Sequence, residues 1–291
     1  NGVRPLARFP VDPIDHGGLD MELTGKVALV LGGIKGIGKA IARALAKAGA
    51  AVAVNYFDWE DELNALTSEM AAAGGDPLIL RTDLRKPDRI PGMVQAVAER
   101  FGRLDVLVNN IERGGWPIVH GSYVLDQWDL EIETTLRAKR WVFAAALPFL
   151  KASGNGAVIN FSSIAAVVGR SGAAAPVFND GYAAASRAIS LLTETWAREA
   201  APVVRVNEIM LGFVETRHGP GTRGWGLLSE AQKRAIRDHT LLGRTGTIED
   251  VVQAAMFILR DADFMTGSVL RLDGGYVLGG EPMQPMPKGV L

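Results

Sequence analysis

Gly32-Gly33-Ile34-Lys35-Gly36-Ile37-Gly38-Lys39 is the stretch on which the fold turns. An apolar run, Val27-Ala28-Leu29-Val30-Leu31, precedes it, and an alanine-rich segment of helical character over residues 40–48 follows. Strand, glycine turn and helix, in that order, are the setting a dinucleotide site requires. Glycine lets the backbone turn tightly and come close to a pyrophosphate, whose charge rests at the helix N-terminus. Taken alone a glycine pattern carries little weight, and an ordinary strand-to-helix turn is the alternative. Its place near the head of an α/β pattern argues for the site.

Working outward, apolar strands alternate with amphipathic helices. Strands are expected at 27–31, 51–55, 78–82, 104–108, 156–161, 203–209 and 268–272, and helices at 36–48, 58–73, 87–101, 126–150, 181–200, 229–238 and 248–260. Strands of nearly continuous Val, Ile, Leu and Ala suit a parallel sheet covered on both faces. The expected fold class is α/β, a single doubly wound domain with a parallel sheet of about seven strands. Residues 1–20 hold three prolines and three glycines without a period and read as an extension. The domain runs over 21–280, and a tail with three prolines occupies 281–291.

The 291 residues are 48% hydrophobic and carry a net charge of −1, enough apolar content for a sizeable core and no electrostatic footprint for nucleic acid. Cysteine is absent, which excludes disulfides, a thiolate nucleophile and a Cys-based zinc site, and fits a reducing, cytoplasmic setting. His16, His120, His218 and His239 are scattered without metal-ligand spacing, so no metal is expected. No apolar run approaches 18 residues, so no membrane span is expected, and the N-terminus lacks a signal-peptide core.

The order of motifs resembles the classical short-chain dehydrogenase/reductase family, nearest to its 3-oxoacyl-carrier-protein reductase branch. The resemblance spans about residues 21–278. It rests on the glycine turn, on Leu104-Asp105-Val106-Leu107-Val108-Asn109-Asn110, on Val158-Ile159-Asn160-Phe161-Ser162-Ser163, on Tyr182-Ala183-Ala184-Ala185-Ser186-Arg187-Ala188 and on Asn207 to Thr216. It implies a Rossmann-type fold, a nicotinamide cofactor and a homo-oligomer, dimer or tetramer, acting on a small molecule. The cofactor residues it implies are Gly32, Lys35, Gly36, Ile37, Gly38, Tyr56, Asp83, Leu84, Asn109 and Thr216. The residue ending the second strand separates NAD from NADP in this family, and here it is Tyr56 rather than a carboxylate. Lys35 suits a 2′-phosphate, so the reading leans to NADP(H) over NAD(H); a solvated turn lysine is the alternative. Asp83 matches an adenine-contacting residue or caps a helix before Pro87. Ile111-Glu112 replaces an expected Ala-Gly. Glu112 is expected to turn outward and pair with Arg113, the alternative being a place at the pocket mouth.

By the same resemblance Tyr182 exchanges a proton with the substrate oxygen and Ser163 anchors that oxygen. Nineteen positions separate them where the family has thirteen, so Arg170 to Gly181 reads as holding an insertion of about six residues at the pocket edge. Two catalytic places depart. Ser186 stands where the family has lysine, and Thr135 where it has asparagine. One positive charge at about 4 Å is worth about 4 kcal/mol at an effective dielectric near 20, roughly three pKa units. Without it the phenol stays near its reference value of about 10, protonated at neutral pH and suited to reduction. Lys139, four residues after Thr135, is either a substitute cation reaching in from the opposite helix or part of a solvated or subunit-facing patch with Arg140. The segment 215–229, with Arg217, His218, Arg223 and Trp225, reads as a glycine-rich lid, and Trp116 as part of the opposite wall.

The expected function is NAD(P)H-dependent reduction of a carbonyl on a small organic or acyl-type substrate. The alternatives are a dinucleotide-binding homologue with weak or no catalysis, or an enoyl-type C=C reductase.

Overall fold

The computed structural model describes residues 22–112, 125–216 and 228–280. Its strands are β1 (Val27–Leu31), β2 (Ala51–Tyr56), β3 (Leu78–Arg81), β4 (Val106–Asn109), β5 (Gly156–Ser163), β6 (Val204–Leu211) and β7 (Val269–Leu272). They form one parallel sheet in the order β3-β2-β1-β4-β5-β6-β7. The winding direction reverses between β1 and β4, which opens a crevice at their carboxyl ends. The glycine turn leaves β1 there, and Asn109-Asn110 ends β4 beside it.

Helices cover both faces, as the apolar strands require. Against one face lie α1 (Gly36–Lys47), α2 (Leu63–Ala72) and α9 (Ile248–Arg260), whose Ile41, Leu45, Leu66, Met70, Val251 and Ile258 pack on Val30, Val54, Val108 and Ile159. Against the other lie α3 (Ile90–Phe101), α5 (Ala138–Ala152) and α7 (Asp180–Ala200), with Val94, Val142, Phe143 and Trp196 on Leu29, Leu107, Val158 and Val206. Phe143 and Trp196 stack at 4.5 Å. A smaller third cluster joins Phe178, Tyr182, Met210, Leu228, Ile236 and Tyr276 above the sheet, under α8 (Glu230–His239).

The seven strands lie where the sequence placed them, within two residues. The helices differ in detail. Residues 60–62 and 87–89 form 3-10 turns ahead of α2 and α3. The single helix expected over 126–150 is α4 (Leu125–Glu131), a π-helical turn over Ile132–Arg137, and α5. In this widened turn Thr134 Oγ1 donates to Leu130 O at 2.7 Å, a side chain competing for helix carbonyls. A short α6 (Ala165–Val168) was not foreseen. The extension over residues 1–20, the tail over 281–291, Trp116, and Arg217, His218, Arg223 and Trp225 of the expected lid lie outside the described residues.

Candidate active site

The glycine turn is built by close approach. A Cβ on Gly38 would lie 2.3 Å from Gly32 O and 2.6 Å from Asn110 Nδ2, so only glycine lets α1 start against β1 and β4. Gly32 has φ +62, and its Cβ would meet Asn110 O at 2.7 Å. Lys35 is the N-cap of α1 and no side chain bonds the first turn, which leaves helix N–H groups to face the crevice. The crevice is a cavity of about 250 Å³ over the carboxyl ends of the strands, with Gly32, Gly36 and Ile37 on its floor and Thr216 across from them. A turn packed this closely, beside an uncapped helix N-terminus that opens on the cavity, fits a dinucleotide pyrophosphate.

One end of the cavity is aromatic and charged. Trp59 stands in the left-handed region at φ 71 and is half exposed, and Lys35 Nζ sits 4.0 Å over its ring. Lys35 also pairs with Glu62 at 3.5 Å, so its charge is already partly engaged. Tyr56 lines the cavity but its side chain is buried in the core beside α1. Asp83 accepts two bonds from the Arg85 guanidinium, both at 2.8 Å, which hold its carboxyl below the usual range, while Arg85 lies 5.3 Å over Phe57. Asp83 is not a helix cap; Lys86 stands at that place without a side-chain bond. Leu84 lines the wall.

Glu112 lines the cavity and leads to the chemistry, since Tyr182 and Ser163 lie off its wall. Asn179 Oδ1 accepts from Tyr182 N at 2.7 Å, so the last residue before α7 fixes the start of that helix and the position of Tyr182. Part of the expected inserted segment forms a 3-10 turn over Gly172–Ala174, and its Phe178 packs 6.1 Å from the Tyr182 ring. The Tyr182 hydroxyl donates to Glu112 Oε2 at 2.8 Å. Burial, with the Glu112 carboxylate next, pushes the phenol well above its ordinary value; the bond to Ser163 acts the other way. Ser163 is buried and accepts from Ala165 N at 3.1 Å. Of the two readings of Glu112, its contact with the phenol fits the place at the pocket mouth: the side chain stays exposed while lining the cavity, and Arg113, its other expected partner, lies outside the described residues.

Asn109, Thr135 and Ser186 also lie off the cavity wall. Asn109 is fully buried and donates to Asn160 Oδ1 at 2.7 Å, while Asn110 lines the cavity in its stead. Thr135, in the π-helical turn, donates to Glu131 Oε2 at 3.2 Å. Ser186 is fully buried, and its Oγ has no partner among the described residues.

The reading of Lys139 as part of a solvated patch is corrected. Its side chain is fully buried, and Nζ donates to Phe161 O at 2.5 Å. Burial lowers it to about 8, against the pull of Glu112, Glu208 and Glu131. Glu208 escaped the sequence reading. Fully buried on β6, it accepts from Ser162 and Ser190, and burial raises its carboxyl. The signal was present: one acid inside Val204–Leu211, a strand otherwise suited to burial on both faces. Trp59 escaped too, because its role depends on a left-handed backbone that no propensity announces.

A family model described as enoyl-(acyl carrier protein) reductase matches residues 32–277. The chain is 33% identical over 264 residues to the 3-oxoacyl-[acyl-carrier-protein] reductase of Thermotoga maritima, with 89% of this chain and 100% of that protein covered. The chain belongs to the short-chain dehydrogenase/reductase family. A second relative, the D-beta-hydroxybutyrate dehydrogenase of Rhizobium meliloti, is 35% identical, covering 86% of this chain and 98% of that one. Among solved structures, the NADPH-dependent 3-quinuclidinone reductase of Rhodotorula rubra superposes with a TM-score of 0.78 at 27% identity, covering 95% of this chain and 100% of that chain. As a short-chain dehydrogenase/reductase, the protein is an NAD(P)-dependent oxidoreductase. Among the described residues no helix is long and apolar enough to cross a membrane, and no group of three His, Cys, Asp or Glu side chains is placed to hold a metal ion.

Proposed function

We propose that this protein reduces a carbonyl on a small organic or acyl-type substrate, with Tyr182 as the proton donor and Ser163 as the anchor of the reacting oxygen. The nicotinamide dinucleotide supplies the hydride when bound. The observation that carries the reading is a buried phenol kept protonated, with Ser163 beside it, 2.8 Å from Glu112, a residue that lines the cavity beyond the glycine turn. An acid that holds its proton at neutral pH donates to a developing alkoxide and serves poorly as a base, so the site favours reduction over alcohol oxidation. Gly32, Gly36, Ile37 and Thr216 would hold the dinucleotide's phosphates and ribose, with Gly38 letting α1 start close beneath them, and Tyr56, Trp59, Asp83 and Leu84 would hold the adenosine. Asn109, Thr135 and Ser186 act by supporting the wall. The relatives named as a 3-oxoacyl reductase and as a hydroxybutyrate dehydrogenase support a carbonyl substrate over a C=C bond.

Lys35 at the head of α1 and the NADPH named for the structural neighbour support NADP(H), while Asp58, a carboxylate lining the cavity two residues after Tyr56, weighs toward NAD(H). Exposed Trp141 on α5 and Leu191 on α7 support a homo-oligomer built on those helices. The absence of cysteine supports a reducing, cytoplasmic setting.

The test is a panel of ketones and enoyl thioesters with NADPH and NADH, run with the wild type and Tyr182→Phe. Ketone turnover that falls at least a hundredfold in the variant, with cofactor binding unchanged by fluorescence titration, supports the assignment. Equal turnover in the two proteins removes the tyrosine from the chemistry.

A further inference from the structure

Glu208, on β6, is a fully buried acid with no part in the hydride or proton transfer. Strand alternation puts Val158 and Ser162 of β5, and Val206 and Glu208 of β6, on the sheet face that α7 covers, where the two valines pack with Trp196. Toward the carboxyl ends of the strands this face turns polar. There Glu208 Oε1 accepts two hydroxyls from two different elements. One is Ser162 Oγ, from the residue just before Ser163. The other is Ser190 Oγ, at 3.0 Å, about two turns after Tyr182 on α7. The covalent path between Ser163 and Tyr182 is far less direct. It runs through α6, a 3-10 turn and two glycines in the left-handed region, Gly169 at φ +57 and Gly172 at φ +55, both in open space. A connection of this length leaves its ends loosely tied.

We infer that Glu208 is a positioning residue: through Ser162 and Ser190 it locks the strand that ends in Ser163 to the helix that carries Tyr182, and so sets how the two face the reacting oxygen. The inference rests on the reductase reading. Glu208 does not line the cavity, so it acts through these two serines and not on substrate or cofactor. Burying a carboxyl group is unfavourable, and an apolar side chain fills such a place at lower cost. What the acid adds is a fixed geometry, because one oxygen with two donors admits little sliding of α7 over β5. Apolar packing alone, such as that of Val158 and Val206 on Trp196, does not set a position so closely. The brace thus bypasses the long segment between Ser163 and Tyr182.

Ser190→Ala removes one arm of the brace and leaves Ser163, Tyr182 and the cavity lining in place. It should lower kcat about tenfold, with KM for the ketone and NADPH affinity held within about twofold, since a displaced donor acts on the transition state more than on binding. Ser162→Ala should do the same through the other arm. The double variant should lose no more than either single one, because both break the same brace. Glu208→Ala should fall with the serine variants. Glu208→Gln keeps an oxygen that accepts both hydroxyls and should hold kcat within about threefold of the wild type. A second arm needs no substrate: urea midpoints of the two single serine variants and the double should likewise be non-additive. Unchanged kcat in both single serine variants overturns the inference, as do losses that multiply in the double or appear equally in KM. A Glu208→Gln loss as deep as that of Glu208→Ala overturns it too, since charge and not the two bonds would then matter. Should Glu208→Ala fail to fold, the three serine variants carry the test. A wild type inactive on every carbonyl overturns the reductase reading; the urea cycle then decides the brace by itself, additive midpoints overturning it and coupled midpoints upholding it as a link between strand and helix.

Discussion

The Tyr182 hydroxyl donates to Glu112 Oε2 at 2.8 Å, placing a carboxylate against the group that must lose a proton. Next to burial, that carboxylate is the largest influence holding the phenol above its ordinary value. Glu112→Gln keeps the shape and a hydrogen-bond acceptor but removes the charge. Tyr182 should then titrate lower, seen as phenolate absorbance relative to a Tyr182→Phe control. Alcohol oxidation at pH 8 should rise on the order of tenfold, because more of the phenol is available as a base. An unchanged titration would mean that burial alone sets the phenol.

Cofactor binding should depend on the turn more sharply than on any side chain. A Cβ at residue 38 would meet the Gly32 carbonyl at 2.3 Å, and backbone cannot swing away as a side chain can. Gly38→Val should weaken NADPH binding at least a hundredfold by fluorescence titration and lower the melting temperature by several degrees. Gly74→Ala, in open space but at φ +81, is the control: it should cost about 1 kcal/mol of stability and leave binding unchanged.

Lys35 divides its charge between the cavity and Glu62, 3.5 Å away. Glu62→Gln should free it for a 2′-phosphate and raise NADPH affinity severalfold with NADH affinity unmoved. Lys35→Ala should lower NADPH affinity about tenfold and again spare NADH. Equal effects on the two cofactors in either variant would assign Lys35 to the turn alone and leave the preference to other groups.

How legible the sequence was follows the range of the interactions. The sheet was readable because its five inner strands are buried on both faces and declare themselves as apolar runs, while the half-exposed edge strands β3 and β7 are short and still mostly Leu, Ile and Val. The crevice was readable because close packing admits only glycine at Gly32 and Gly38. Tyr182 and Ser163 came from motif order, and the structure brings them together despite the long segment between them. Lys139 could be named but not placed: helical spacing puts it on the face of Thr135, and only the packing of α5 on β5 decides between core and solvent. For Glu112 the pocket mouth stood only as the alternative, because its contact depends on a residue 70 positions away. Trp59 and Glu208 owe their settings to tertiary context, one to a left-handed turn and the other to two serines from separate elements.

Asn179 gives the last prediction. Its side chain bonds Tyr182 N at 2.7 Å, so it caps α7 and also sets where the phenol begins its reach across the crevice. Removing an N-cap side chain costs about 1 kcal/mol of stability. A positional effect on the phenol should add a catalytic loss on top of that. Asn179→Ala should lower kcat about tenfold with KM for the ketone changed less than twofold, since a small displacement of a proton donor acts on the transition state more than on binding. Asn179→Asp keeps the cap acceptor and should recover most of both losses. If Asn179→Ala loses stability but keeps its kcat, the cap serves the helix alone, and Tyr182 is positioned instead by its packing against Phe178 and Met210.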